Sequence, residues 1–155
     1  MDEKTLFSYD SRAREFAERY ENCSGGISEW FDVAFPRRCR VLDVGAGSGR
    51  DLAVLLKGGW EAFGAEPSGA LIEEALRCHP ELEGRISQDS LPGLSTVADQ
   101  SFDGILCSAV LMHIPEEELF DSIFALRRIL KPGGRLLVSL PIEPDGTPTC
   151  GRDPT

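Results

Sequence analysis

Val41-Leu42-Asp43-Val44-Gly45-Ala46-Gly47-Ser48-Gly49-Arg50-Asp51 is the stretch whose reading decides the fold. A short apolar strand runs into a glycine-rich turn, and Leu52, Val54, Leu55 and Leu56 then set a helical pattern. Glycines at 45, 47 and 49 let the backbone turn sharply and approach a ligand closely, because no Cβ intrudes. The first N–H groups of the following helix lack intrahelical partners and point back at the turn. This is a place to hold a nucleotide-like molecule. The dinucleotide fingerprint G-x-G-x-x-G calls for a third glycine so that helix and strand can pack closely. Arg50 occupies that position, and the run is G-x-G-x-G instead.

The second clue is acidic. A further apolar segment, Trp60-Glu61-Ala62-Phe63-Gly64-Ala65, ends in Glu66, seventeen residues past Gly49. A carboxylate at a strand tip about 20 residues beyond the glycine turn can accept hydrogen bonds from both ribose hydroxyls. The alternative is a surface glutamate preceding a helix that starts at Pro67 and Ser68. Strand, glycine turn, helix, strand and terminal acid together favour the ribose reading, with Glu66 expected at an exposed strand tip.

The chain of 155 residues is the size of one domain and can bury a useful core. Its formal net charge of −10 argues against a nucleic-acid substrate, since phosphate binding relies on Lys and Arg. Arg37, Arg38 and Arg40 form a local basic run that reads as a solvated boundary before the first strand. Five cysteines, at 23, 39, 78, 107 and 150, show neither C-x-x-C pairing nor a histidine at metal spacing, so reduced thiols and no metal are expected. Cys107 lies inside an apolar run and reads as core. The start of the chain does not resemble a signal peptide, and the longest apolar run, Ile105 to Met112, is too short to cross a bilayer. These features predict a cytoplasmic protein without a membrane partner.

Residues 10–20 read as one helix, with Ala13, Phe16 and Tyr20 on one stripe, and a shorter helix is expected from Ile27 to Phe35. From Arg40 onward, strands at 40–44, 60–65, 84–87, 103–108 and 134–140 alternate with helices at 48–57, 68–77 and 116–130. The segment between the third and fourth strands, with Pro92, Gly93, Ser95 and Asp99, reads as loop. The last helix opens at Pro115, carries Glu116 to Glu118 at its positive end and Arg127, Arg128 and Lys131 at its negative end. Leu119, Ile123, Leu126 and Leu130 give its expected apolar stripe. Such alternation means an α/β fold, a parallel sheet with helices on both faces. Three parts follow: an N-terminal helical lid segment at 1–38, a core at 39–141 and a loose tail at 142–155.

With these residues together, the chain resembles a class I S-adenosylmethionine-dependent methyltransferase of the small-molecule type over about residues 39–141. The run from Val41 to Gly49 resembles that family's first motif, and Glu66 matches its ribose-binding acid. Gln88-Asp89-Ser90 falls where the third strand ends and the family reads the adenine. Ser101-Phe102-Asp103-Gly104-Ile105-Leu106-Cys107-Ser108 resembles the fourth strand, and Leu130-Lys131-Pro132-Gly133-Gly134-Arg135-Leu136 the lead into the fifth. The resemblance implies a three-layer sandwich with a mostly parallel, Rossmann-like sheet in the order 3-2-1-4-5. It also implies S-adenosyl-L-methionine as cofactor, with S-adenosyl-L-homocysteine as product.

Roles follow from the resemblance residue by residue. Asp43 should orient the turn and the ligand's amino group, and Gly45, Ala46 and Gly47 should lie against the methionine portion. Glu66 and Pro67 should meet the ribose side, Asp89 should accept from the adenine amine with Gln88 and Ser90 beside it, and Ser108 should contribute backbone near the sulfonium. Asp103 can be read as only capping a turn at a strand start, and Lys131 to Gly134 reads as structural punctuation. Methyl transfer from a sulfonium depends mainly on in-line positioning, and a base is needed only where the acceptor arrives protonated. His113 and Tyr9 are the candidates, with Tyr20 close behind. His113 follows the fourth strand at its carboxyl end, where open α/β sheets bind ligands, or else packs under the Pro115 helix start.

The acceptor is expected to be a small molecule. Two other readings remain: a module that binds cofactor or partner without catalysis, and an NAD(P)-dependent oxidoreductase. The family usually continues into strands 6 and 7, which are lacking after Pro141. The apolar fifth strand is therefore expected at an edge that a homodimer partner or a longer natural chain would cover, with Val138 as the position where a charge should weaken such pairing.

Overall fold

The computed structural model describes residues 3–23 and 26–142; the loose tail expected at 142–155 therefore lies outside the described residues, apart from Ile142. Five strands form one sheet: β1 (Arg40–Val44), β2 (Glu61–Ala65), β3 (Ile86–Ser87), β4 (Phe102–Ser108) and β5 (Leu130–Ser139). Their order is β3-β2-β1-β4-β5, every pairing is parallel, and the fold class read from the sequence is the one observed. Reversal of the strand order between β1 and β4 opens a crevice at their carboxyl ends, where ligands of such sheets sit.

Alternation along the strands builds a core on each face of the sheet. Leu42, Val44, Ile105 and Cys107 join Leu126 and Ile129 of α6 (Glu116–Ile129) on one side. Val41, Ala62 and Leu106 join Leu52 and Leu55 of α4 (Arg50–Lys57) and Phe31 and Phe35 on the other. Phe31 opens a short helix, α3 (Phe31–Ala34), which follows a single 3-10 turn at Ile27–Trp30. Gly104 is required by this packing, because a Cβ there would stand 2.5 Å from Cδ1 of Phe35. Asp103 is structural: its carboxylate accepts from the Arg40 backbone N–H at 2.9 Å and from Lys131 Nζ at 3.3 Å, tying the starts of β1 and β5 to β4. Arg40 itself is no solvated boundary, since its guanidinium lies over the rings of Phe63 and Phe102.

Three further expectations need correction. Residues 10–20 form two helices, α1 (Glu3–Ser11) and α2 (Ala13–Glu21), broken at Arg12, whose φ of −126° leaves the helical region. Both pack on α5 (Gly69–Cys78), where Ala13 and Phe16 meet Leu71. The fifth strand begins at Leu130, not at 134, because Leu130 pairs with Phe102 before a register shift carries the ladder to Gly104 and Arg135.

The third correction concerns α6. Its buried residues are Ser122, Ala125, Leu126 and Ile129. Leu119 and Ile123 turn outward beside Phe120 and Phe124, which are 79 % and 57 % exposed. This apolar face adjoins β5 at the edge of the sheet, and Ile123, Phe124 and Leu136 line one groove between them. Val138 packs against the core, so a charge there would damage the fold before it tested any pairing. Leu136, 40 % exposed, is the position that reports on the edge. Leu136→Lys is expected to weaken a concentration-dependent self-association measured by sedimentation velocity. A parent chain that stays a non-aggregating monomer at every concentration would show that the edge is stable uncovered.

Candidate functional site

The carboxyl ends of β1 and β2 are laced together through the glycine turn. Gly45 and Ala46 both donate their N–H groups to the Ala65 carbonyl, at 2.8 and 3.1 Å. Gly47 donates to Glu66 Oε2 at 2.8 Å, and Ser68 donates to Glu66 Oε1 at 2.9 Å. Glu66 is therefore not an exposed strand tip; it is 3 % exposed and closes the turn from the β2 side. Each carboxylate oxygen has a second lone pair, so the same group can also accept from a ligand. Gly45 must lack a side chain, since a Cβ would strike Val110 at 2.5 Å, whereas a Cβ on Gly47 would meet nothing nearer than 3.9 Å. Gly47 thus presents bare backbone to open space.

That space is a cavity holding about 750 Å³, counting the part open to solvent. Asp43, Gly45, Ala46, Gly47, Glu66, Ser108, Tyr9 and His113, all singled out from the sequence, line it. Pro67, Gln88, Asp89 and Ser90 are not among its lining residues. Gln88 donates from Nε2 to the Pro67 carbonyl at 3.1 Å. Asp89 is engaged by its own loop, accepting from the N–H groups of Ser90 and Thr96 at 2.8 Å each and from the Thr96 hydroxyl. Those bonds hold its carboxyl below the ordinary range although burial opposes them. Ser108 shares a 3.0 Å hydroxyl contact with Ser139.

Tyr9 and His113, 104 residues apart, meet at the cavity, with the phenol oxygen 3.4 Å from Nε2 and the rings edge to face at 6.1 Å. Burial, reinforced by Tyr20 and Glu66, drives the Tyr9 hydroxyl far above its usual pKa, so at neutral pH it is a proton-bearing donor. The phenol donates to Nε2 in the tautomer protonated at Nδ1 and accepts from Nε2–H in the other.

Sequence reasoning missed how the N-terminal helices are fastened. Ser68 caps α5 by accepting from Leu71 N–H at 3.1 Å, and its hydroxyl also reaches Asp10 of α1. Glu21, at the end of α2, accepts from the Ser48 hydroxyl at 3.0 Å and faces His79 Nε2 at 2.9 Å. A polar residue on an amphipathic helix gives no sign of such a long-range partner. Arg50 and Asp51 also line the cavity, as do Tyr20, Ser48, Ala109 and Val110.

The cavity is strongly acidic. Burial, with Asp51 and Glu66 nearby, pushes the Asp43 carboxyl well above the ordinary range. Asp51 is raised by burial against the opposing pull of Arg50, and Glu66 by burial against its two backbone hydrogen bonds. Burial, helped by Asp43, also lifts the Cys107 thiol to about 12, which leaves it an inert core group. Three carboxylates facing one guanidinium suit a cationic ligand and fit a pyrophosphate poorly. The Gly47 N–H, which a dinucleotide turn would offer to phosphate, already serves Glu66.

A Rossmann-like parallel sheet with an acidic, glycine-bedded cavity at its switch point defines the class as a nucleoside-binding α/β domain. A profile of the methyltransferase domain matches residues 42–138, and the chain belongs to that family. Over 103 residues it is 31 % identical to the ubiquinone biosynthesis O-methyltransferase of Alkalilimnicola ehrlichii, covering 64 % of this chain and 40 % of that protein. It is 35 % identical over 127 residues to methyltransferase GfsG of Streptomyces halstedii, covering 79 % of this chain and 44 % of that one. The chain thus spans less than half the length of these curated relatives. In fold it is similar to the 1,6-didemethyltoxoflavin-N1-methyltransferase of Burkholderia thailandensis, with a TM-score of 0.73 at 20 % identity, over 90 % of this chain and 62 % of that one. No helix among the described residues is long and apolar enough to cross a membrane.

The acid cluster predicts an unusual pH dependence. A carboxyl whose folded pKa is raised binds its proton more tightly in the folded state, so its contribution to stability is lost as pH rises through the raised value. Asp43, Asp51 and Glu66 all act in this sense. The ligand-free protein should melt at a higher temperature in the mildly acidic range, just above ordinary carboxylate pKa values, than near pH 8. Asp43→Asn should flatten that slope. A melting temperature that climbs steadily from pH 5 to pH 8 would contradict the assignment.

Proposed function

We propose that the chain binds S-adenosyl-L-methionine in this cavity and transfers its methyl group to an oxygen, nitrogen or sulfur nucleophile of a small molecule. The acidic, glycine-bedded cavity closed by Glu66 carries the reading, and membership of the methyltransferase family supports it. Gly45 and Gly47 would bed the methionine portion, Glu66 the ribose, and Asp43 with Asp51 would face the positive end. Pro67, Gln88, Asp89 and Ser90, which follow β2 and β3 outside the lining of the cavity, would meet the adenine. The bound cofactor supplies an activated methyl group, so the chain's residues need only bind, orient and exclude water. At 3.4 Å the Tyr9–His113 pair forms a polar station on the cavity wall. In the tautomer protonated at Nδ1, displacement of the phenol by an acceptor hydroxyl would leave Nε2 of His113 ready to take the acceptor's proton. The N-terminal helices act as a lid, latched by Asp10 to Ser68 and by Glu21 to Ser48 and His79.

Two of these names support a small-molecule acceptor, one being a ubiquinone biosynthesis O-methyltransferase and one structural neighbour having been solved with bound 1,6-didemethyltoxoflavin and S-adenosylhomocysteine. Labelled-methyl transfer to a panel of phenols, catechols and heteroaromatic amines is the direct test. Turnover of at least one acceptor is expected. His113→Gln should slow it by about 100-fold or more, with cofactor affinity nearly unchanged. Tight cofactor binding without turnover across the panel would favour a non-catalytic binding module.

Glu66→Ala separates ligand binding from architecture. Loss of a charge-assisted acceptor should weaken S-adenosylhomocysteine binding by roughly 10- to 100-fold in calorimetry. The melting temperature should fall too, because the N–H groups of Gly47 and Ser68 lose their partner, at about 1–3 kcal/mol for a buried unsatisfied donor. A lower melting temperature with unchanged affinity would make Glu66 purely structural.

A further inference from the structure

We infer that a second cavity, walled by Arg40 and Arg85 around the ring of Phe63, binds a small aromatic carboxylate. It lies over β2 and β3 on the face of the sheet that carries α6, and it shares no lining residue with the cavity at the glycine turn. The connection from β3 to β4 explains why the space exists. Crossovers between parallel strands are usually helical, yet no helix lies between Ser87 and Phe102. The loop through Val97 roofs that part of the sheet instead, held by Arg128, which donates to the Val97 and Leu94 carbonyls at 2.9 and 3.1 Å. The space left beneath holds about 790 Å³, counting the part open to solvent.

Its lining inverts the charge of the first cavity. The chain carries 26 acidic against 16 basic residues, yet among the described residues two arginines and no carboxylate line this space. Arg40 opens β1 and Arg85 immediately precedes β3, so one cation reaches over Phe63 from each side of β2. Their guanidinium carbons stand 4.8 and 5.5 Å from the Phe63 centroid, and that of Arg40 is also 4.9 Å from the Phe102 centroid. Both heads keep donors to spare. Nε of Arg40 is buried without a hydrogen bond, with Glu61 Oε1 3.9 Å away. Arg85 gives Nη1 to the Ala62 carbonyl at 3.3 Å and pairs with no carboxylate among the described residues. A guanidinium carries five N–H donors in a planar fork that matches a carboxylate. Two such cations sharing one ring repel each other, and an anion held between them offsets that repulsion. Phe63 and Phe102, edge to face at 6.1 Å, offer with Leu42 and Val97 an apolar bed for an aromatic body. An inorganic anion would use the arginines and leave that bed unfilled.

The test is independent of the cofactor reading: isotope-labelled protein is titrated with benzoate, with benzamide as its uncharged match and with inorganic phosphate, and followed by amide NMR. Benzoate should give saturable shifts at the amides of Ser87, Val97 and Ser101, and should bind at least about 10-fold more tightly than benzamide. Arg40→Gln and Arg85→Gln should each weaken benzoate by about 10-fold and leave benzamide unchanged. Equal affinity for benzoate and benzamide, or benzoate shifts confined to the glycine turn, overturns the inference. Phosphate that binds as tightly as benzoate also overturns it, because the arginines would then take an adventitious ion only. Should Arg40→Gln fail to fold, Arg85→Gln decides: unchanged benzoate affinity sinks the inference and a reduced one upholds it.

Discussion

Two backbone N–H groups meeting one buried carboxylate hold the site in place. Gly47 and Ser68 belong to different loops, one after β1 and one after β2, and Glu66 bonds both. Removing a carboxylate from water is costly, and it is tolerated where hydrogen bonds to the charged form replace the lost solvent. The bonds to Glu66 oppose the rise in its pKa without overcoming burial. The group is therefore held by the fold yet still short of compensating positive charge. A cationic ligand supplies what the backbone does not.

The same imbalance extends across the cavity. Asp43 at the end of β1 and Asp51 in the first turn of α4 are raised by burial and, for Asp43, by one another's neighbourhood. An acid in the first turn of a helix is ordinarily favoured by the helix dipole, so the raised value at Asp51 reflects how far the site withdraws it from water. Groups with pKa values shifted in this way cluster at functional sites. Ligand charge, more than ligand shape, is what separates this glycine turn from one built for a pyrophosphate.

The sheet was largely legible because strands buried on both faces write nearly continuous apolar runs, as Ile105 to Cys107 do and as Val41, Leu42 and Val44 do around Asp43. The glycine turn and Glu66 were legible as well, although burial of Glu66 was not: an acid in sequence looks the same whether water or two N–H groups surround it. The α6 stripe was misplaced because Leu119, Phe120, Ile123 and Phe124 satisfy helical spacing on more than one face, and spacing cannot say which face meets the sheet. Tyr9 and His113 could be nominated separately by type and position, but their meeting depends on how α1 packs over α5. Pro67, Gln88, Asp89 and Ser90 were chosen by their place after β2 and β3, and the side-chain bonds of Asp89 to Thr96 come from a loop whose path no periodicity records.

The N-terminal helices illustrate how local chemistry couples distant segments. Ser68 caps α5, lies two residues from Glu66, and touches Asp10 of α1. Ser48 sits inside the glycine turn and touches Glu21 of α2, which also meets His79 beyond the end of α5. Each clamp therefore joins an N-terminal helix to the very backbone that beds a ligand. Surface ion pairs contribute little to stability, but Ser48 and Ser68 are 3 % and 0 % exposed, so these hydroxyls are worth more where they stand. Helices seated by these contacts also help fix the turn.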